Sequence, residues 1–248
     1  MKALKTLDDH LLVTQSNKLV EASHSLTLIE KRLVIAAAAL HDPRIPHRDG
    51  HKVTFHVDDF LSVFGNMDRD SVYRELSRAS KRLYNRSIRQ IEEKRGRKII
   101  TDMRWVAFAQ YNIAERTVTL GFTTYALPYL TLIHTEFTSY RLKHVGHLGS
   151  FYSIRIYELL VQYRKAGERT ISLDKLREIL DLGDKYPRVN NLRMRVIDPA
   201  LKEINKYTDL RVVMTTQRKG RDIYGFHFEI TQDDQIPLDL PVPADADA

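Results

Sequence analysis

The stretch TFHVDDFLSVFG, Thr54–Gly65, has an ungapped counterpart later in the chain, TISLDKLREIL at Thr170–Leu180, with Asp58 falling on Asp174 and Phe60 on Leu176. Each copy reads as a short strand running into a short helix, and each Asp stands where an N-cap would begin that helix. The surroundings repeat as well. SLTLIEKRLVIAAAAL precedes the first copy and predicts a helix from about Leu28 to Leu40, with Thr27 and Glu30 spaced as a capping box and a loop holding Pro43, Pro46 and Gly50 after it. SFYSIRIYELLVQYRK precedes the second as another helix. Behind the first copy come an arginine-rich helix, DRDSVYRELSRASKRLYNRSI, and IRQIEEKRGRKIITDMRWVAFAQYN, which alternates about a Lys-Arg-Gly-Arg tip as a hairpin does. Behind the second come the helix YPRVNNLRMRVIDPALKEINKYTDLRV, Tyr186–Val212, and a hairpin tipped by Arg218-Lys219-Gly220-Arg221. Helix, strand, helix, basic helix and basic-tipped hairpin, given twice, predict an α+β fold of two tandem winged helix-turn-helix domains related by an internal repeat. In that architecture the last helix enters a major groove and the hairpin wing lies along the phosphates.

Charge follows the same two elements. Of 248 residues, 39 are Lys or Arg and 32 are Asp or Glu, for a formal net charge of +7. Residues 71–104 hold a net +7 and residues 184–222 a net +5, which leaves the remainder at −5. The positive charge is therefore concentrated where a polyanion would be met. The final segment, TQDDQIPLDLPVPADADA, has Asp at 233, 234, 239, 245 and 247, three prolines and no basic residue, and reads as a disordered acidic tail.

Within Tyr186–Val212, Val189, Leu192, Val196, Ala200 and Ile204 recur on one helical face, and Arg188, Asn191, Arg195 and Lys202 share another. Pro199, after Asp198, either restarts the helix with Asp as its cap or kinks a continuous one by removing the bond to the Arg195 carbonyl. The apolar stripe stays in phase from Leu192 to Ile204, which favours the kink.

Several chemistries lack their residues. Cysteine is absent, which excludes disulfides, iron–sulfur ligation and thiolate zinc sites. Among ten histidines there is no His-x-His pair for a rolling-circle nicking enzyme, and no G-x-x-x-x-G-K-[ST] loop for ATP. His144 and His147 have a ligand-like spacing but glycine neighbours, so no metal or cofactor is expected and the chain reads as a non-enzyme. Trp105 and the tyrosines at 73, 84, 152, 157 and 163 read as core packing. No apolar run reaches the roughly 20 residues of a membrane span, and the first residues lack a signal-peptide core, so a cytoplasmic protein is the expectation.

Three stretches, LVTQSNKLVEASHSLTLIEKRLVIAAAAL, YSIRIYELLVQYRKAGERTISLDKLREILDL and VIDPALKEINKYTDLRVVMTTQRKGRDIYGFHF, resemble the iteron-binding replication initiator (Rep) proteins of theta-replicating plasmids, over roughly Leu12 to Ile230. The resemblance implies origin DNA with repeated sites (iterons) as the partner, a monomer–dimer equilibrium with autorepression by the dimer, and a host replicative helicase and initiator as further partners. The expected division is an N-terminal arm at 1–16, a first winged helix at 17–133 for dimerisation and a secondary DNA contact, a second at 134–232 as the main iteron binder, and the acidic tail at 233–248. The candidate DNA contacts of the second domain are Arg188, Asn191, Arg193, Arg195 and Lys202 on the helix, with Arg218, Lys219 and Arg221 on the wing. Those of the first are Arg74, Arg78, Lys81 and Arg82 on its long helix, with Lys94, Arg95, Arg97 and Lys98 on its wing. Val106, Phe108, Val118 and Leu120 are candidates for the dimer interface or the core beneath it. A winged-helix repressor without initiator activity would show the same charges.

Overall fold

The computed structural model describes residues 6–41, 52–65, 69–130 and 136–233, with backbone alone at 69–70. The Pro43–Gly50 loop and, beyond Asp233, the acidic tail lie outside the described residues. In chain order the elements are β1 (Leu12–Ser16), α1 (Asn17–Glu21), α2 (Leu28–Leu40), β2 (Lys52–His56), α3 (Val57–Phe64), α4 (Arg69–Tyr84), β3 (Ser87–Lys94), β4 (Arg97–Arg104), β5 (Val106–Asn112) and β6 (Thr117–Phe122). After a 3₁₀ turn at Leu127–Leu130 follow β7 (Phe137–Arg141), α5 (Lys143–Gly146), α6 (Phe151–Val161), β8 (Glu168–Ser172) and α7 (Leu173–Ile179). Then come α8 (Val189–Leu192), a π-helical segment (Arg193–Ile197), α9 (Asp198–Tyr207), β9 (Leu210–Lys219) and β10 (Asp222–Gln232).

Two three-stranded sheets, in the orders β2-β6-β5 and β8-β10-β9, carry the repeat. In each, the strand preceding the helix-turn-helix pairs with the return strand of a later hairpin. Thr54 and Thr170, equivalent in sequence, sit at equivalent register positions opposite Thr119 and His227. Both hydroxyls hydrogen-bond across the pair, Thr54 to Thr119 Oγ1 at 2.8 Å and Thr170 to His227 Nδ1 at 2.9 Å.

The same topology corrects the reading of the first domain's wing. The hairpin that bears Lys94, Arg95, Arg97 and Lys98 is β3–β4, a separate two-stranded sheet inserted ahead of the wing. The wing position belongs to β5–β6, whose turn spans residues 113–116. The alternating pattern runs through both hairpins, and the fully buried Trp105 marks the break between them. Asp58 and Asp174 need a smaller correction. Each lies in the first turn of its helix, where a negative charge suits the helix dipole, while His56 and Ser172 occupy the cap positions. Ser172 Oγ accepts from the Lys175 amide at 3.2 Å. The Thr27–Glu30 capping box opens α2 as its spacing predicts.

Val106, Val118 and Leu120 are buried in the core, and the half-buried Phe108 lies under the Lys52 ammonium at 5.2 Å. Trp105 and Tyr157 are fully buried and Tyr73 and Tyr152 half-buried, but Tyr84 and Tyr163 are exposed. Tyr163 lies under the Arg169 guanidinium at 4.5 Å.

The two winged helices share one continuous core. Residues 12–16, expected at the end of an arm, form β1 and pair antiparallel with β7, Val13 facing Tyr140 and Gln15 facing Thr138. Beneath this small sheet, α2 and α6 enclose a charged group with no solvent access. Glu158 Oε2 lies 2.8 Å from Lys31 Nζ and 3.1 Å from Arg155 Nη1. Its Oε1 accepts from Gln15 at 2.6 Å and from the Tyr140 hydroxyl at 2.7 Å. Arg155 also donates to the Val20 and Ala22 carbonyls, both at 2.9 Å. Burial alone would raise the Glu158 carboxyl, but Lys31 and Arg155 hold it below the usual range, and burial lowers Lys31 to about 8 in spite of Glu158. Above this group, in the segment joining α1 to α2, sits His24, edge-on to Trp105 at 5.3 Å and to Phe151 at 6.1 Å.

Candidate nucleic-acid interface

The helix of residues 189–207 is reached through a tight turn that one side chain organises. Arg177, from α7, donates to the carbonyls of Gly183 at 2.6 Å, Lys185 at 2.8 Å and Tyr186 at 2.9 Å. Asp181, Gly183 and Tyr186 all take positive φ in this turn, a conformation that L side chains adopt only when neighbours over-determine it.

Past the turn, Pro199 neither restarts the helix nor breaks it. Asp198 and its predecessor have helical dihedrals, so no extended cap intervenes. The chain instead widens into a π turn, with the Asp198 amide donating to the Arg193 carbonyl five residues back. Proline supplies no amide to the ladder, and the widened turn relieves its clash with the preceding turn. One extra residue per turn brings Val196 and Ile197 inward together, followed by Ala200, Leu201 and Ile204, all buried. Ile197 and Leu201 were absent from the sequence stripe because a uniform hundred-degree wheel cannot represent this shift.

On the outer side Arg188, Asn191, Arg195 and Lys202 are exposed together. Arg193 is not among them. It is half-buried, with Nη2 3.7 Å from Asp198 and its Nε enclosed. The wing, β9–β10, turns through Gly220 at φ +62° and presents Arg218, Lys219 and Arg221 to solvent. Glycine as first turn residue suits the right-handed twist of the hairpin.

In the first domain, Arg74, Arg78 and Lys81 are exposed along α4, Arg78 paired with Glu75 at 2.9 Å. Arg82 has a different occupation. With Arg86 it neutralises the fully buried Glu30, Nε to carboxylate distances being 2.8 and 3.1 Å. Its partner lies 52 residues away in sequence, so periodicity held no signal of the pairing. At the tip of β3–β4, Arg95 and Gly96 both have positive φ, and Lys94, Arg95, Arg97 and Lys98 are exposed, Lys94 lying 2.9 Å from Glu92. Among the described residues no three His, Asp or Glu side chains are placed to hold a metal ion, and no helix is long and apolar enough to cross a membrane.

Two winged helix-turn-helix units, one with an exposed cationic helix face beside a cationic wing, define a protein of the duplex-DNA-binding class. The chain matches the family models described as "Initiator Replication protein, WH1" over residues 12–161 and "Initiator Rep protein, WH2" over residues 172–230, and it belongs to that family of DNA-binding replication initiators. It is 28% identical over 237 residues to a "Replication initiation protein" of Escherichia coli, covering 92% of this chain and 72% of that one. An "Uncharacterized 27.6 kDa protein" of Escherichia coli is 24% identical over 231 residues, covering 89% and 96%. The fold is similar to that in the crystal structure of Pi initiator protein in complex with iteron DNA, with a TM-score of 0.77, 24% identity, and coverage of 92% of this chain and 100% of the other.

Proposed function

We propose that this protein initiates plasmid replication by binding iterons through residues 134–232 and opening the adjoining origin duplex, without cutting it. The observation that carries the reading is the exposed row Arg188, Asn191, Arg195 and Lys202 on a helix whose other side is locked into the core, with Arg218, Lys219 and Arg221 on the wing of the same domain. Such a row reads base edges while the wing holds phosphates. The likeness to the Pi initiator, solved with iteron DNA, supports repeated origin sites as the target. The first domain, residues 17–133, adds a second DNA contact through Arg74, Arg78 and Lys81 and the inserted hairpin tip, and pairs two chains in an autorepressing dimer. The half-buried Arg193 and the Glu30-bound Arg82 contribute less to this surface than their sequence positions imply. A host helicase and initiator complete the machinery, as the family resemblance implies, in the cytoplasm where the plasmid resides.

The test uses a supercoiled plasmid carrying the cognate origin, with single-strand reactivity as the readout. Local opening without strand cleavage supports an initiator. Binding without opening leaves a repressor, and nicking an enzyme.

A further inference from the structure

Met194 is the apolar member of the helix face that carries Asn191 and Arg195. It is 67% exposed, on a helix whose buried side already holds Leu192, Val196 and Ile197. The π turn explains its position. By sending Val196 and Ile197 inward together, the widened segment turns Met194 and Arg195 outward as adjacent neighbours, three and four residues beyond Asn191. Residues at those spacings stand side by side on a helix surface. An exposed methionine between an asparagine and an arginine on this face has no polar task. Its long unbranched thioether is suited to an irregular apolar contact.

We propose that Met194 is a specificity-determining residue that reads the C5-methyl group of a thymine in the major groove. This rests on the reading that the helix 189–207 lies in that groove. The edges presented there are hydrogen-bonding groups in every base pair, and the thymine methyl is the one apolar feature among them. Asn pairs bidentately with adenine and Arg with guanine. Asn191, Met194 and Arg195 therefore form a compact cluster with three different base-edge chemistries. The recognised sequence contains a thymine whose methyl, not only its O4, is sensed.

The experiment takes a duplex selected from a random pool by the full-length chain and replaces each thymine in the bound site, one at a time, with deoxyuridine. That exchange removes the methyl and leaves base pairing intact. The wild type should bind about three- to five-fold more weakly when one particular thymine is replaced, the magnitude of one buried methyl. Met194→Gln, matched in length but polar, should bind the thymine and uracil duplexes equally, whereas Met194→Leu should keep most of the discrimination. Indifference of the wild type to every exchange, or full discrimination retained by Met194→Gln, overturns the proposal. Arg195→Ala separates this outcome from failure of the wider reading. If it lowers the specific-to-random ratio while thymine exchange has no effect, the helix still reads DNA and only the methyl contact is wrong. If selection returns no preferred sequence, the groove reading falls and this inference with it.

Discussion

His24 should make the junction between the winged helices acid-labile. Its ring is fully buried, neither nitrogen makes a well-formed hydrogen bond, and the Ala22 carbonyl lies only close enough to favour a proton slightly. Burial is the largest influence, followed by the nearby charges of Arg155 and Lys31, and together they hold the imidazole well below its ordinary 6.5. In the unfolded chain His24 takes a proton near pH 6.5, and in the folded chain it does not. Stability from this group is therefore complete above pH 6.5 and falls as the pH drops below it, by about 1.4 kcal/mol per pH unit until the folded pKa is reached. His144 and His147 are also held low by burial, and many carboxylates titrate lower down, so the wild-type curve alone mixes several groups. The difference between wild type and His24→Phe isolates the one ring. Phenylalanine keeps an aromatic ring between Trp105 and Phe151, somewhat larger than the imidazole, and removes the two unsatisfied nitrogens. Whatever the gap in urea unfolding at pH 7.5, where the larger ring sets the baseline, it should move in favour of His24→Phe by about 1.4 kcal/mol at pH 5.5. A gap that stays constant between those pH values would falsify the account, because His24 would then titrate alike in both states.

Glu158→Ala should destabilise the fold by about 3–5 kcal/mol in urea unfolding, since it leaves Lys31 and Arg155 buried without their counter-charge. Lys31→Met, which keeps the Arg155–Glu158 pair, should cost clearly less, and equal losses would refute the assignment of the carboxylate as the hub. Arg195→Ala should lower the preference for iteron over random DNA by about ten-fold or more in a competition assay, whereas Lys219→Ala should weaken both and reduce the salt slope by about one unit. An unchanged preference in Arg195→Ala counts against groove reading by this helix. Arg177→Ala should loosen the turn at Gly183–Tyr186 and speed amide exchange there and at the start of α8, with specific binding reduced more than random binding. Unaltered exchange would mean the turn holds itself.

The repeat was legible because Thr54–Gly65 and Thr170–Leu180 are local patterns, and local patterns decide strands and short helices. Helix caps followed the same logic at Thr27. What escaped depended on distance. Arg82 looks like any other cation on α4 until Glu30 is brought to it, and β3–β4 alternates as well as the true wing does. Only the pairing partner, β2, distinguishes the hairpins, and it lies before α3. At Pro199 the residue types offered a restart or a kink. The helix runs on without a restart, and a π turn, which neither residue types nor a uniform wheel announces, accommodates the proline while Val196 and Ile197 are buried together.

The pairing of β1 with β7 also sets a clock. Thr14 and Ser139, whose hydroxyls meet at 2.9 Å, are 125 residues apart. A ribosome adding 5–20 residues per second takes roughly 6–25 s to cover that interval. Throughout it β1 has been made and its partner has not, so the first winged helix waits with an open edge until the second begins to emerge. Translation arrested at residue 130 should leave the amides of residues 12–16 unprotected against exchange, and protection there before β7 exists would contradict this order. On the ribosome, then, the first winged helix gains its last strand partner only after the chain has entered the second, so the order of synthesis ties the completion of one half to the start of the other.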